Sequence, residues 1–331
     1  MTLSFVESPS NGVVSFHKVF FEGSSSVQVY VEEAAVVFKE CHFSGSSAMV
    51  LESSGNSNIT LTDSIWSNSR ISAPESLLNL SGGDVKMLNC TFFGNILNNS
   101  LVHHTSAISL EIDSCSFGNS KAQWQIIKFS GNSFSVRDSS FVSCSSSDQM
   151  IKAEALSHTF ENSSFHYCIA FAGSLISISP GSLSLATDSS FSGVSITKSE
   201  AGAPLLFVSS SQSSFLNCKW EENTAALLAY HPSLRSNESK LFSFTFAECL
   251  ISGNRFKGDS SVESSISLIS IHMKSGTFLA QNNLLMDNSG TLFALSFMKN
   301  VPAAAFPRAR IEKWTVQSGV GGISVRSGGE G

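Results

Sequence analysis

Charge is scarce in this chain: only 14% of its 331 residues are Asp, Glu, Lys or Arg, and their balance is -6. A surface so thin in cations, with no dense basic-aromatic stretch, argues against nucleic acid as a partner. Tyrosine is nearly missing, three residues against 26 phenylalanines, which suits an interior offering no partner for a phenol hydroxyl. No run approaches the ~18 uninterrupted apolar residues of a membrane span, so no transmembrane segment is expected. Met1 to Asn11 has neither a basic n-region nor an apolar h-region, so no signal peptide is visible. The chain is then either intracellular or a segment of a longer secreted polypeptide. His103 and His104 read as a surface pair with no third ligand nearby, no other Cys/His spacing fits zinc, and no cofactor is expected.

What is present is a repeat. The pattern apolar-x-apolar-x-(Asp/Asn)-(Cys/Ser)-x-Phe returns about every 22 to 34 residues. It runs from Val14–Phe21 through Val36–Phe43, Ile59–Trp66, Val85–Phe92, Leu110–Phe117 and Phe134–Phe141. It continues in His158–Phe165, Ser184–Phe191, Ser213–Trp220, Phe244–Ile251, Phe278–Leu285 and Ala309–Val316. A unit that cannot bury its apolar face alone is stabilised by stacking on its own copies. One elongated domain over 1–331 is therefore expected, with an edge at 1–12, coils over 13–317 and a flexible Gly-rich tail at 318–331.

Within a unit the alternation is strand-like: in Leu110-Glu111-Ile112 the outer two side chains face one way and the middle one the other. The Asx position (Asp63, Asn89, Asp138, Asn162, Asp188, Asn217, Asn282) then bends the chain. A second short strand follows, then a polar stretch of variable length, then a third apolar run such as Ile126 to Phe129 or Leu175 to Ile178. The reading is all-β: a single-stranded right-handed parallel β-helix of about twelve coils, three short strands per coil. Phe21, Phe43, Trp66, Phe92, Phe117, Phe141, Phe165, Phe191 and Trp220 would form its internal stack. A leucine-rich repeat shares the period, but carries one strand per repeat and a Leu consensus.

Cys41, Cys90, Cys115, Cys218 and Cys249 share one motif position, and Cys144 and Cys168 share another. Neighbouring coils would place Cys90 beside Cys115, Cys144 beside Cys168 and Cys218 beside Cys249. Buried free thiols, interchangeable with the Ser64, Ser139, Ser163 and Ser189 at the first position, are the expectation. Inter-coil disulfides, which would imply an oxidising compartment, are the alternative. The corner column Asp138, Asn162, Asp188, Asn217, Glu248, Asn282 reads as satisfied turns; calcium wants six to eight converging oxygens, which a ladder spread along a rod does not offer.

Assembled, these residues resemble the pectate-lyase-like superfamily of right-handed β-helices. The repeats are similar to those of polymorphic outer membrane proteins, whose units carry Phe-x-x-Asn. Here that signature stands as Phe92-Phe93-Gly94-Asn95 and, substituted, as Trp220-Glu221-Glu222-Asn223 and Ile251-Ser252-Gly253-Asn254. The Gly-Gly-Ala-Ile unit of that family is absent, and no outer-membrane barrel follows. The resemblance implies surface display and adhesion without catalysis, and an extracellular or cell-surface location.

The superfamily's glycoside hydrolases resemble one another in Asn-Thr-Asp, Asp-Asp, Gly-His-Gly and Arg-Ile-Lys steps. None occurs here; Arg310-Ile311-Glu312 imitates the last with its third charge reversed. Two suitably spaced carboxylates are the minimum for glycoside hydrolysis. A non-enzymatic binding scaffold for a protein or glycan ligand is therefore the leading expectation. A carbohydrate-active enzyme (polysaccharide lyase or glycoside hydrolase) with a non-standard site is the alternative. Recognition is expected in the long connections of the last third: Ser192 to Pro204, His231 to Ser243, Ser252 to Ser267 and Ser296 to Arg308. Residues 231–331 hold ten Lys/Arg against seven Asp/Glu, and Arg235, Lys240, Arg255, Lys299 and Arg308 are the candidate binding residues.

Overall fold

The computed structural model describes residues 2–6, 13–22, 28–72, 74–180, 187–231, 242–255, 267–273, 276–289, 291–297, 308–312, 315–316 and 323–327. Alternation of apolar and polar residues produces strands that bury every second side chain. In Asp84–Leu88, Val85 and Met87 point inward and Lys86 outward. The strands pair in parallel with the copy one repeat away, so Val85 meets Leu110 and Leu110 meets Phe134. Parallel pairing at a one-repeat offset makes a parallel β-solenoid, with no helix among the described residues.

The motif strand and the third apolar run belong to a 23-stranded sheet, and the strand after the first corner to a 12-stranded one. A further six-stranded sheet is built from two-residue strands such as Arg70–Ile71 and Ile96–Leu97. A turn therefore carries up to four strand segments, not the expected three. In Val102–Asp113 and Ile127–Arg137 the third run passes into the next motif strand without a break. About eight successive turns, from Ala35 to Tyr230, are described over nearly their whole circuit. The expected count of twelve is the count of motif copies: the other four supply strands to the same sheets. Strands also form at Thr2–Val6, in the expected edge, and at Ile323–Ser327, in the expected tail, and both extend the long sheet.

The internal stack is present. Rings of Phe92 and Phe117 lie 4.8 Å apart at 5°, those of Phe117 and Phe141 4.5 Å apart at 2°, and those of Phe141 and Phe165 4.7 Å apart at 5°. Phe191 is a correction. Its strand pairs Phe160 with Phe191 and Phe191 with Phe215, so it belongs to a second stack one strand earlier in the turn. The closing position of that copy is Ile196, paired with Phe165 on one side and Trp220 on the other. The copy therefore runs Ser189 to Ile196, five residues later than expected, and Asp188 opens a strand instead of turning a corner.

Each turn has two tight corners where one was expected. At the first, Glu40, Asp63, Asn89, Ser114, Asp138, Asn162, Asn217, Glu248 and Asn282 hold φ between 46 and 58°, with Gly193 in the shifted copy. At the second the left-handed residue is as varied as Asn68, Gly94, Tyr167, Lys198 and Glu222. Both corners are held by a ladder running along the rod. At the first, Cys115 Sγ donates to Met87 O and Asp113 O, both at 3.3 Å, while Cys90 N–H donates to Cys115 Sγ and Cys115 N–H to Ser139 Oγ. That geometry explains why Cys and Ser interchange there: each supplies one small atom that accepts a corner N–H lacking a backbone partner and donates back to a nearby carbonyl. All seven cysteines are free and buried. At the second corner the Asn of Phe-x-x-Asn does the same work, Asn95 Oδ1 accepting from Ser69 N–H and Asn95 Nδ2 donating to Trp66 O.

Candidate functional site

Of the five basic residues expected to form a binding edge, the structure describes two, Arg255 and Arg308, and these lie on different sides of the turn. Arg255 is exposed just past the second corner, its N–H on Asn223 O. Arg308 opens the strand Arg308–Glu312, paired with Thr277 in the long sheet, and so belongs to a different side of the turn. Arg235, Lys240 and Lys299 lie outside the described residues. The expected connection Ser192 to Pro204 is not a loop, since it contains the strands Ser195–Thr197 and Glu200–Ala201.

His103 and His104 are likewise not a surface pair. His104 is fully buried, its Nε2 2.9 Å from Gly82 O, and burial pushes its pKa down to about 4. His158 is also buried, and burial takes it down to about 4. Both rings are therefore neutral in the fold. The unfolded chain binds protons near the ordinary histidine pKa of ~6.5, so each ring contributes stability that is complete above that value. The contribution is lost as pH falls toward about 4. Denaturant midpoints measured across this window should fall with acidification, and His104→Phe should flatten the fall. An unchanged slope in that variant would remove His104 from the account.

The outward face of the long sheet divides into two regions. Over the turns of Lys86 to Glu161 it is charged: Glu111 meets Lys86 at 3.4 Å and Arg137 at 3.8 Å, and Arg137 meets Glu161 at 3.6 Å. These side chains are half-exposed, and such pairs contribute ~0–1 kcal/mol each. The corner carboxylates are engaged as well, Asp63 by Asn89 Nδ2 at 2.6 Å and Asp138 by Asn162 Nδ2 at 3.2 Å. No group of three His, Cys, Asp or Glu side chains fit to hold a metal ion exists among the described residues.

Over the next turns the same face becomes a groove of about 270 Å³. Its floor is the in-register row Thr159, Ser190, Ser214, Thr245, and Asp188 and Gln212 stand in the neighbouring row. Behind it the core departs from its own rule. The first motif position is filled by buried Val36, Ile59, Val85, Leu110 and Phe134, then by His158, Ser189 and Ser213, then by Phe244 and Phe278. Each apolar side chain missing from such a column forgoes ~1.5–3 kcal/mol of burial. His158 Nδ1 lies 3.3 Å from Ser189 Oγ, while its Nε2 has no protein partner. Reading the sequence for charged loops missed this groove; the signal was the run of polar residues at an apolar position. A separate set of exposed aromatic residues, Phe93, Trp124, Tyr167 and Phe171, lies at and past the second corner.

Compared with known protein families, curated proteins and solved structures, the chain has no match.

Proposed function

We propose that the protein is a non-enzymatic β-helical scaffold that binds a glycan or protein ligand through its lateral surface, as an extracellular or cell-surface adhesion element. The observation that carries this reading is the hydroxyl-lined groove on the outer face of the long sheet, where no pair of carboxylates stands. A rod whose strands are fixed by neighbours on both sides offers a pre-formed surface, and binding to it orders little. The likeness of the repeats to those of polymorphic outer membrane proteins supports display over catalysis, and the parallel β-solenoid fits the resemblance to the pectate-lyase-like superfamily.

One observation favours the enzymatic alternative. Glu111 and Glu161 stand two strands apart in rows two residues offset, and their contacts of 3.8 and 3.6 Å to one guanidinium keep their carboxyl oxygens within roughly 10 Å, near the upper end of the spacing used by inverting glycosidases. Arg137 lies between them and contacts both, so its guanidinium occupies the gap that a scissile bond would have to enter. Incubating the protein with neutral and acidic polysaccharides separates the readings. The scaffold predicts no new reducing ends and no unsaturated products. Turnover abolished by Glu111→Gln or Glu161→Gln would establish the enzyme instead.

A further inference from the structure

We propose that the groove over Thr159, Ser190, Ser214 and Thr245 binds a neutral oligosaccharide laid along the rod axis, with Asp188 and Gln212 as its orienting contacts. This rests on the scaffold reading and names the ligand class of that same surface. The first support is the chemistry of the lining. It offers hydroxyls that donate and accept, one amide that does both, and one carboxylate that accepts. A polyhydroxylated ligand satisfies all of them. An apolar side chain would strip water from these groups and give nothing back.

The second support is charge. The lining contains no Lys or Arg, and Asp188 puts a negative charge at its edge. A phosphate, sulfate or uronate would meet repulsion with no cation to compensate. The third is periodicity. In-register pairing repeats the same donor and acceptor rows every ~4.8 Å along the axis, so successive sugars of a linear chain meet successive turns. The fourth is independent of the lining. The three turns whose inner column gives up apolar residues for His158, Ser189 and Ser213 are turns that form the groove. Folds depart from their own packing pattern where a site requires it.

Affinity electrophoresis of the full chain in gels containing mannan, xylan, dextran, mixed-linkage β-glucan or polygalacturonate tests the assignment. At least one neutral polymer should retard the protein, and polygalacturonate should not. Ser214→Arg, which fills the groove from an outward position, and the milder Asp188→Asn/Gln212→Ala double variant should each weaken retardation at least about tenfold, ~1.4 kcal/mol. Each variant's melting temperature serves as the folding control, and the double variant decides if Ser214→Arg does not fold. No retardation by any neutral polymer, equal retardation by polygalacturonate, or undiminished binding in a folded variant would overturn the assignment. In those cases binding elsewhere on the rod leaves the scaffold reading standing. Release of reducing ends would defeat that reading even with a groove that binds.

Discussion

Phe117→Ala is expected to cost ~3–5 kcal/mol of stability, read from denaturant midpoints at unchanged m-value. The ring is fully buried and lies between those of Phe92 and Phe141 at 4.8 and 4.5 Å. Its removal takes contact from two neighbours at once. Those neighbours cannot close the gap, because their backbones are pinned by parallel pairing at Thr91↔Ser116 and Ser116↔Ser140. A solenoid is stabilised by nearest-neighbour interfaces, so hydrogen-exchange protection should drop first in the turns next to Phe117. Phe93→Ala is the matched control: that ring follows Phe92 directly but is 46% exposed, and its loss should stay within ~0.5 kcal/mol. A cost below about 1 kcal/mol for Phe117→Ala would place its ring outside the core.

The stack was legible because the closing aromatic obeys a spacing that only a fixed corner can enforce. Where that spacing was misread, the reason is physical. Asp188-Ser189-Ser190-Phe191 spells the corner and its closing ring, yet the chain turns at Gly193. Glycine supplies positive φ at no steric cost, Val194 fills the site usually held by Ser or Cys, and Ile196 replaces the ring. Each is a conformational or volumetric equivalent that shares no letter with the pattern. The second corner escaped for a related reason. Its left-handed residues include Tyr167, Lys198 and Glu222, which carry no turn signature; only the Asn that follows at Asn95 or Asn223 marks the place.

The groove was hidden by that same slip. With the eighth copy set at Ser184, its inner and outer rows could not be aligned with those of His158 and Ser213. Once Ser189 is paired with both, the three polar inner residues fall into one column and the hydroxyl row appears on the opposite face. The basic residues of the last third, by contrast, were read from composition alone, with no register to align them. Of the five candidate binding residues, the structure describes two: Arg255 follows a corner and Arg308 opens a long-sheet strand.

Asn254→Ala tests whether the second-corner ladder is structural in the way the geometry implies. Asn254 Oδ1 accepts from the N–H and the side-chain amide of Asn223, both at 3.0 Å, and its Nδ2 donates to Trp220 O at 2.9 Å. All three residues are buried. Alanine therefore leaves the Asn223 main-chain N–H without a partner in a place water does not reach, and removes the side-chain donor to Trp220 O. At ~1–3 kcal/mol for the orphaned N–H and ~0.5–1.5 kcal/mol for the lost donor, the expected loss is roughly 2–4 kcal/mol, approaching that of a core ring. Asn254→Ser should recover part of it, because Ser199 fills the equivalent position and still accepts Cys168 N–H at 3.1 Å. Serine returns its own donation to Thr197 O, two residues back, and does not reach the preceding turn as Asn254 reaches Trp220 O. The order wild type, then Ser, then Ala in denaturant midpoint is what the ladder requires. Equal midpoints for the two variants would mean that the accepted N–H bond carries none of the stability, and that Asn254 acts through Trp220 O alone.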